Sequence, residues 1–323
     1  MTTKNTASNR PIIIGVSSCL LGARVRFDGQ HKRERYIADI LGDYLDFLSI
    51  CPEIGAGMGI PRESVQLRGN QDSPRLIGNK SGKNWTLKLK SFSRERISKK
   101  DFSKLSGFIF KKNSPSCGME RVRLYDDKGS MRPNGIGVFA RAVMEKYPFL
   151  PVEEEGRLND IRTRENFIER IFAYYCLDNL FNGGYSGKKI IEFHTVSKYL
   201  ILSHSQKHYT ELGKLVAKIK QYTPAQFKKE YSRLYMEALK IKTTVKKQVN
   251  VLQHIFGFLK DYLNSEDKKY LLEVINDYHK NLVPLVVPVT LLKLFILRHG
   301  VTYIANQIYL NPHPKELMLR NHV

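Results

Sequence analysis

The chain has 323 residues, 42% hydrophobic and 11% aromatic, which excludes a disordered protein and suffices for two domains with separate cores. Lys and Arg outnumber Asp and Glu by 53 to 31, a net charge of +22, so the expected partner is a polyanion: nucleic acid first, an acidic membrane surface second. Four separated cysteines exclude a disulfide scaffold and point to a reducing, cytoplasmic setting in which some serve a metal or a reaction.

Residues 1–10 are polar, lack an apolar signal core and are expected to form a flexible tail. Residues 12–16 read as a buried strand. Ile37, Ile40, Leu41, Tyr44, Leu45 and Leu48 recur at helical spacing and predict an amphipathic helix. Residues 48–50 and 107–110 predict two further strands, with a basic helix over 91–105 between them. Gly135-Ile136-Gly137 is a turn without the third glycine of a dinucleotide site, and it leads into a helix through about 146. The alternation predicts an α/β domain with a mostly parallel sheet.

Pro148 and Pro151 break the pattern, and Glu153-Glu154-Glu155-Gly156 reads as an acidic turn. The boundary is placed there, giving an α/β domain over 11–152 and an all-α domain over 153–323. Helices are predicted at 166–180, 196–219, 224–239, 251–262 and 266–279. Thr223 and Gln226 fit a capping box before Pro224, and Ser265 an N-cap. The most apolar run, 282–297, holds Pro284, Pro288 and Lys293; it is too short and interrupted for a membrane span and predicts a buried helix.

Cys19, Cys51 and Cys117 each follow a predicted strand, directly or within a few residues. Neighbouring parallel strands open their carboxyl ends onto one crevice, so three thiols remote in sequence are expected to meet there. Each stands beside Pro or Gly: Cys19-Leu20-Leu21-Gly22, Cys51-Pro52-Glu53 and Ser114-Pro115-Ser116-Cys117-Gly118. Such flanks turn the chain sharply and expose backbone N–H groups that can hydrogen-bond a thiolate or an inorganic sulfide. Spacing alone leaves a metal site and three structural cysteines equally open, since no Cys-x-x-Cys pair is present. Cys176 lies in an apolar helical stretch and is expected in the core.

Three blocks carry a resemblance. They are Ser18-Cys19-Leu20-Leu21-Gly22 with Val25-Arg26-Phe27-Asp28-Gly29 and Lys32; Cys51-Pro52-Glu53 with Pro61-Arg62; and Lys112-Asn113-Ser114-Pro115-Ser116-Cys117-Gly118. In this order they resemble the thiouracil desulfidase (TudS-type) family over residues 12–150. Phe193-His194, Lys198-Tyr199, Lys207-His208-Tyr209, Asn250-Val251-Leu252-Gln253-His254 and Pro284-Leu285-Val286-Val287-Pro288 resemble the helical domain fused to it in tRNA 4-thiouridine desulfidases (RudS-type). The resemblance implies a 4Fe-4S cluster held by three protein ligands, Cys19, Cys51 and Cys117, with one iron left open. It implies replacement of the thiocarbonyl sulfur of 4-thiouridine in tRNA by oxygen, without net electron transfer. Glu53 is then the water activator and Ser114 a hydrogen-bonding or proton-relay group. Asp28, Lys32 and Arg62 are candidates to hold the substrate or close its pocket. A desulfidase of small thiolated pyrimidines, such as free thiouracil, and a non-catalytic RNA-binding protein with a structural metal are the alternatives.

Lys207, His208, Lys214, Lys218, Lys246 and Lys247 are the candidate tRNA contacts. Tyr209, Tyr222, Tyr231 and Tyr235 are interleaved with basic residues and are expected to stack on unpaired bases. His204 and His208 stand four apart on one predicted helix and are read as RNA-contacting or packed rather than metal-binding.

Overall fold

The computed structural model describes residues 11–322, so the expected tail over 1–10 lies outside the described residues. The chain divides into two units between Asn159 and Asp160. The first contains, in order, β1 (Ile13–Ser17), β2 (Asp46–Ile50), α1 (Pro52–Gly55), β3 (Val65–Arg68), β4 (Arg75–Gly78), α2 (Thr86–Ile97), β5 (Leu105–Phe110), β6 (Val122–Tyr125), β7 (Met131–Gly135), α3 (Val138–Lys146) and β8 (Val152–Glu154). One sheet has the order β2-β1-β5-β8 and is parallel throughout. The other, β4-β3-β6-β7, is mixed.

The centre of the parallel sheet is buried because β1 and β5 are apolar on both faces. All six residues of β5 are buried, and Ile14 and Val16 of β1 are inaccessible. Gly15 pairs with Phe108, and a Cβ at Gly15 would stand 2.1 Å from that ring, so glycine is what lets the ring lie across β1. Phe108 stacks on Phe110 at 4.3 Å and meets Phe139 of α3 edge-on at 5.8 Å. The chain leaves β1 for β2 on one side and reaches β5 and β8 on the other. Between β1 and β5 the strand order therefore reverses, and ligands bind outside the strand ends at such a point.

Several expectations are corrected in this unit. The apolar period over 37–48 does not make one helix: Tyr36–Ile40 is one wide π-helical turn, Leu41–Asp43 one tight 3-10 turn, and Leu48 belongs to β2. Pairing of β2 with β1 overrides the helical pattern. The basic helix begins at Thr86 and stops at Ile97, because Leu105 opens β5. The acidic turn is an added strand, β8, paired with β5. Thus residues 153–159 belong to the α/β unit, and the boundary lies after Asn159 rather than after 152.

The second unit is helical: α4 (Ile161–Asn182), α5 (Gly187–His204), α6 (Gln206–Ala217), α7 (Pro224–Lys240), α8 (Val245–Leu259), α9 (Ser265–His279), α10 (Val286–His299) and α11 (Thr302–Ala305). Thr223 and Gln226 form the expected capping box. At α9 the cap is Asn264, with Ser265 as the first helical residue. The long helix expected over 196–219 is two helices. Ser205 adopts an extended conformation between them, and its Oγ accepts the His208 N–H, starting α6 afresh. His204 and His208 therefore lie on different helices. Cys176 is exposed rather than in the core. No helix among the described residues is long and apolar enough to cross a membrane.

Asp160 caps α4, its carboxylate accepting from the Thr163 backbone N–H and hydroxyl. Those bonds, the hydroxyl's first, hold its pKa at about 2, below the ordinary 3.8. Asp160→Ala is expected to lower stability by about 1 kcal/mol at neutral pH. A depressed carboxylate contributes in full above its unfolded pKa and loses that contribution as pH falls through its folded one. Thermal melts of parent and variant should accordingly converge as pH drops from 3.8 toward 2.

Candidate active site

The carboxyl ends of β1, β2 and β5 each pass into a turn that presents a thiol. After β1 the chain makes a tight helical turn, Ser18–Leu21, ended by Gly22 at a φ of 97°, and Cys19 is buried within it. After β2, Cys51 precedes α1, where Pro52 occupies the first turn and needs no N–H partner. After β5 the 111–119 loop carries Ser114 and Cys117. A Cβ on Gly137 would lie 2.6 Å from the Ser116 carbonyl, so glycine there allows α3 to press against the Cys117 turn.

The three thiols line one cavity of about 610 Å³, together with Glu53, Ser114, Lys32 and Arg62. That size lies within the range of ligand pockets, about 300–1,000 Å³. Burial, then the charge of Cys51, pushes the Cys19 thiol up to about 11. Burial also raises Cys51, and it raises Cys117 well above its ordinary value with further contributions from Cys51, Glu53 and Cys19. Three mutually repelling thiolates are unfavourable unless a cation lies among them. Beside Cys117 the Ser116 hydroxyl is buried and has no hydrogen-bond partner among the described residues. Among the described residues no three His, Cys, Asp or Glu side chains converge on one ion. The three thiols line a shared space, a donor set whose chemistry fits a thiophilic inorganic group.

Glu53 is ion-paired with Arg62, whose Nε and Nη2 both donate to Oε2, at 3.0 and 2.5 Å. Oε1 is the oxygen left to take a proton. Arg62 also donates to the carbonyls of Gly59 and Val25, so it braces Glu53 and the Val25 turn. Ser114 Oγ accepts the backbone N–H groups of Ser116 and Cys117 at 3.2 and 3.1 Å. With its lone pairs so engaged, the hydroxyl proton is free to be donated into the cavity. Asp28, by contrast, is not part of the cavity lining: it pairs with Arg26 and accepts the Gln30 N–H.

The sequence reading missed what holds the loop. Glu155 accepts the Lys112 N–H at 2.7 Å and pairs with Lys111, while Glu154 accepts the Met119 N–H at 2.9 Å. The carboxylates read as an acidic turn clamp both ends of the segment bearing Ser114 and Cys117. Lys111, Lys112 and Arg123 also line the cavity. Lys112 opens the third sequence block and Lys111 adjoins it, so both could have been found there.

A protein-family model described as 2-thiouracil desulfurase matches residues 14–155, and YbbK of Bacillus subtilis (strain 168), an uncharacterized protein, is 31% identical over 155 residues, 46% of this chain and 99% of its own. Through this region the chain belongs to the 2-thiouracil desulfurase family. Residues 198–314 match a second family model, a protein of unknown function (DUF1722). YbgA of Escherichia coli (strain K12), also uncharacterized, is 26% identical over 165 residues, covering 51% of this chain and 98% of YbgA. The solved structure of TudS, a 4Fe-4S-dependent thiouracil desulfidase, is 28% identical and aligns over 47% of this chain and 95% of its own, with a TM-score of 0.38. The three cysteine turns of this desulfurase-family member all fall inside the matched 14–155 segment.

In the helical unit the expected RNA contacts are of two kinds. Lys207, Lys214, Lys218 and Lys246 are exposed. Lys247 instead donates to the His204 carbonyl at 2.7 Å, and His208 is bonded to Ser205, so both help hold the α5–α6 corner. Tyr231 and Tyr235 are fully buried, stacked in a column with Phe227 along α7. Their spacing places them on the core face, out of reach of any base.

Proposed function

We propose that the protein replaces the sulfur of 4-thiouridine in tRNA by oxygen, at a 4Fe-4S cluster held by Cys19, Cys51 and Cys117. The observation that carries this reading is the convergence of three thiols, a braced carboxylate and a proton-donating hydroxyl on one cavity. When bound, the cluster would supply a thiophilic iron without a protein ligand, to which the thiocarbonyl sulfur is drawn. Glu53 Oε1 takes a proton from the water that adds to the ring carbon. The Ser114 hydroxyl donates to the departing sulfur. The C–S bond breaks as C=O forms, so water enters, sulfide leaves and no carbon changes oxidation state. The net charge of +22 and the exposed lysines of α6 favour a polyanionic substrate. A thiolated base within folded tRNA must leave its stack to enter such a cavity.

Protein purified and reconstituted without oxygen is expected to bind about four iron and four sulfide per chain. Cys19→Ala, Cys51→Ala and Cys117→Ala should each lose most of the iron. Incubated with thiolated tRNA, the loaded enzyme should abolish the thiocarbonyl absorbance; unchanged tRNA beside an intact cluster would exclude the reaction. A second reading, in which free thiouracil is the substrate, is favoured by the family's description. Supplying both substrates to the same enzyme separates the two.

A further inference from the structure

Aromatic side chains exposed as a cluster mark interaction surfaces, and one such cluster surrounds a lysine. Lys198 of α5 holds its ammonium 4.8 Å from the ring centre of Tyr199, 5.7 Å from Phe258 of α8 and 4.7 Å from Tyr303 of α11. It donates to the Tyr303 hydroxyl at 2.8 Å. Phe258 and Tyr303 lie 5.3 Å apart and are 38% and 51% exposed. One turn before Phe258, the exposed His254 stacks on Tyr199 at 6.4 Å. The sequence blocks Lys198-Tyr199 and Asn250–His254, which the reaction leaves unexplained, thus meet in space.

We propose that Lys198, His254, Phe258 and Tyr303 form a site on the helical unit for an unpaired stretch of RNA, its bases on the outer ring faces and a phosphate on the ammonium. This rests on the reading that the substrate is an RNA. An ammonium has three N–H donors, and Tyr303 takes one, so donors remain for a phosphate oxygen. The surrounding rings fix its position before a ligand arrives. Exposed rings beside a cation recur where single strands bind, because every base offers a face to stack. An apolar peptide would leave the ammonium desolvated and unpaired, so the charge selects the nucleic acid. Burial alone would lower the Lys198 pKa; the Tyr303 hydrogen bond and the neighbouring Tyr199 and Tyr209 together outweigh it and raise it.

The full-length protein is titrated with fluorescent oligouridine and with a blunt RNA duplex at several salt concentrations. Phe258→Leu with Tyr303→Leu is expected to weaken oligouridine binding about tenfold or more, with little change for the duplex. Lys198→Gln should flatten the salt slope for the single strand by about 0.7. Parent-like affinity in both variants, with tRNA still bound, overturns this site and spares the RNA reading. Failure of the parent to bind either tRNA or oligouridine overturns both. Equal losses for duplex and single strand, or a loss seen only on anionic lipid vesicles, also overturn it. Photocrosslinking of the unaltered protein to bromouridine-containing single strands needs no substitution: adducts should fall on the peptides holding Phe258 or Tyr303, and adducts confined to other peptides refute the assignment.

Discussion

Glu53→Gln should abolish desulfidation while leaving the iron content and melting temperature of the reconstituted enzyme near those of the parent. The amide keeps an oxygen for Arg62, whose other bonds to Gly59 and Val25 are untouched, so the turn should survive. What it cannot do is take a proton. Loss of a general base costs about 10²–10⁴ in rate, and single-turnover absorbance decay reads that range directly. A variant keeping more than about a tenth of the parent rate would remove Glu53 from water activation. Ser114→Ala is a different perturbation, because Oγ also accepts two backbone N–H groups of the Cys117 turn. It should lower both rate and iron retention, and an effect on rate alone would mark the hydroxyl as purely chemical.

The largest effect on folding is expected in the helical unit, at Glu169. This fully buried carboxylate faces His204 Nε2 at 2.5 Å and Arg320 Nη2 at 3.3 Å. His204 in turn meets the Ile241 carbonyl through Nδ1 at 2.6 Å, and Arg320 donates to the Tyr309 carbonyl at 2.7 Å. Removing the carboxylate strands two buried partners, and such breaks cost about 3–5 kcal/mol. Glu169→Ala should lower the denaturant midpoint accordingly, and Glu169→Gln, which still accepts, should lose less. Burial would raise the Glu169 pKa, but the neighbouring His204 and then Arg320 outweigh it and hold it at about 2, below the usual 4.5. The pair's contribution is therefore whole above pH 4.5 and lost as pH falls toward 2, so the gap between parent and Glu169→Ala should narrow over that interval. A gap that stayed constant with pH would mean the carboxylate acts by packing alone. Neighbouring Glu165 has the opposite sign. Burial lifts it to about 7, so its carboxyl favours the fold below pH 4.5 and ceases to as pH rises through 7.

The parallel strands were legible because their apolar runs need burial on both faces, as in Leu105–Phe110. The thiols were legible as a group because each stands just past such a run. The mixed sheet was not. Its strands are four or five residues long, and β7 carries Pro133 among four exposed positions, tolerable because β7 is an edge strand. The tyrosines of α7 show a further limit: Lys228, Lys229 and Arg233 surround Tyr231 in sequence, yet helical geometry turns the ring inward and the cations outward. Proximity along the chain was mistaken for a shared face. Glu153-Glu154-Glu155 failed for another reason, since three successive acids do not resemble a strand. The first two lie in β8 and the third just beyond it: Glu154 and Glu155 are taken up by backbone N–H groups and a lysine of a distant loop, and Glu153 pairs with Arg157.

That loop is anchored by residues that come 35 to 44 positions later in the chain. During synthesis the ribosome releases Ser114 and Cys117 well before the carboxylates that fix them. The third thiol therefore reaches its working position only after β8 has been made and has added to the sheet edge. Under the proposed function, delivery of iron and sulfide would follow that moment. A shortened version stopping near residue 150 would carry all three thiols yet lack the clasp that aligns the last of them.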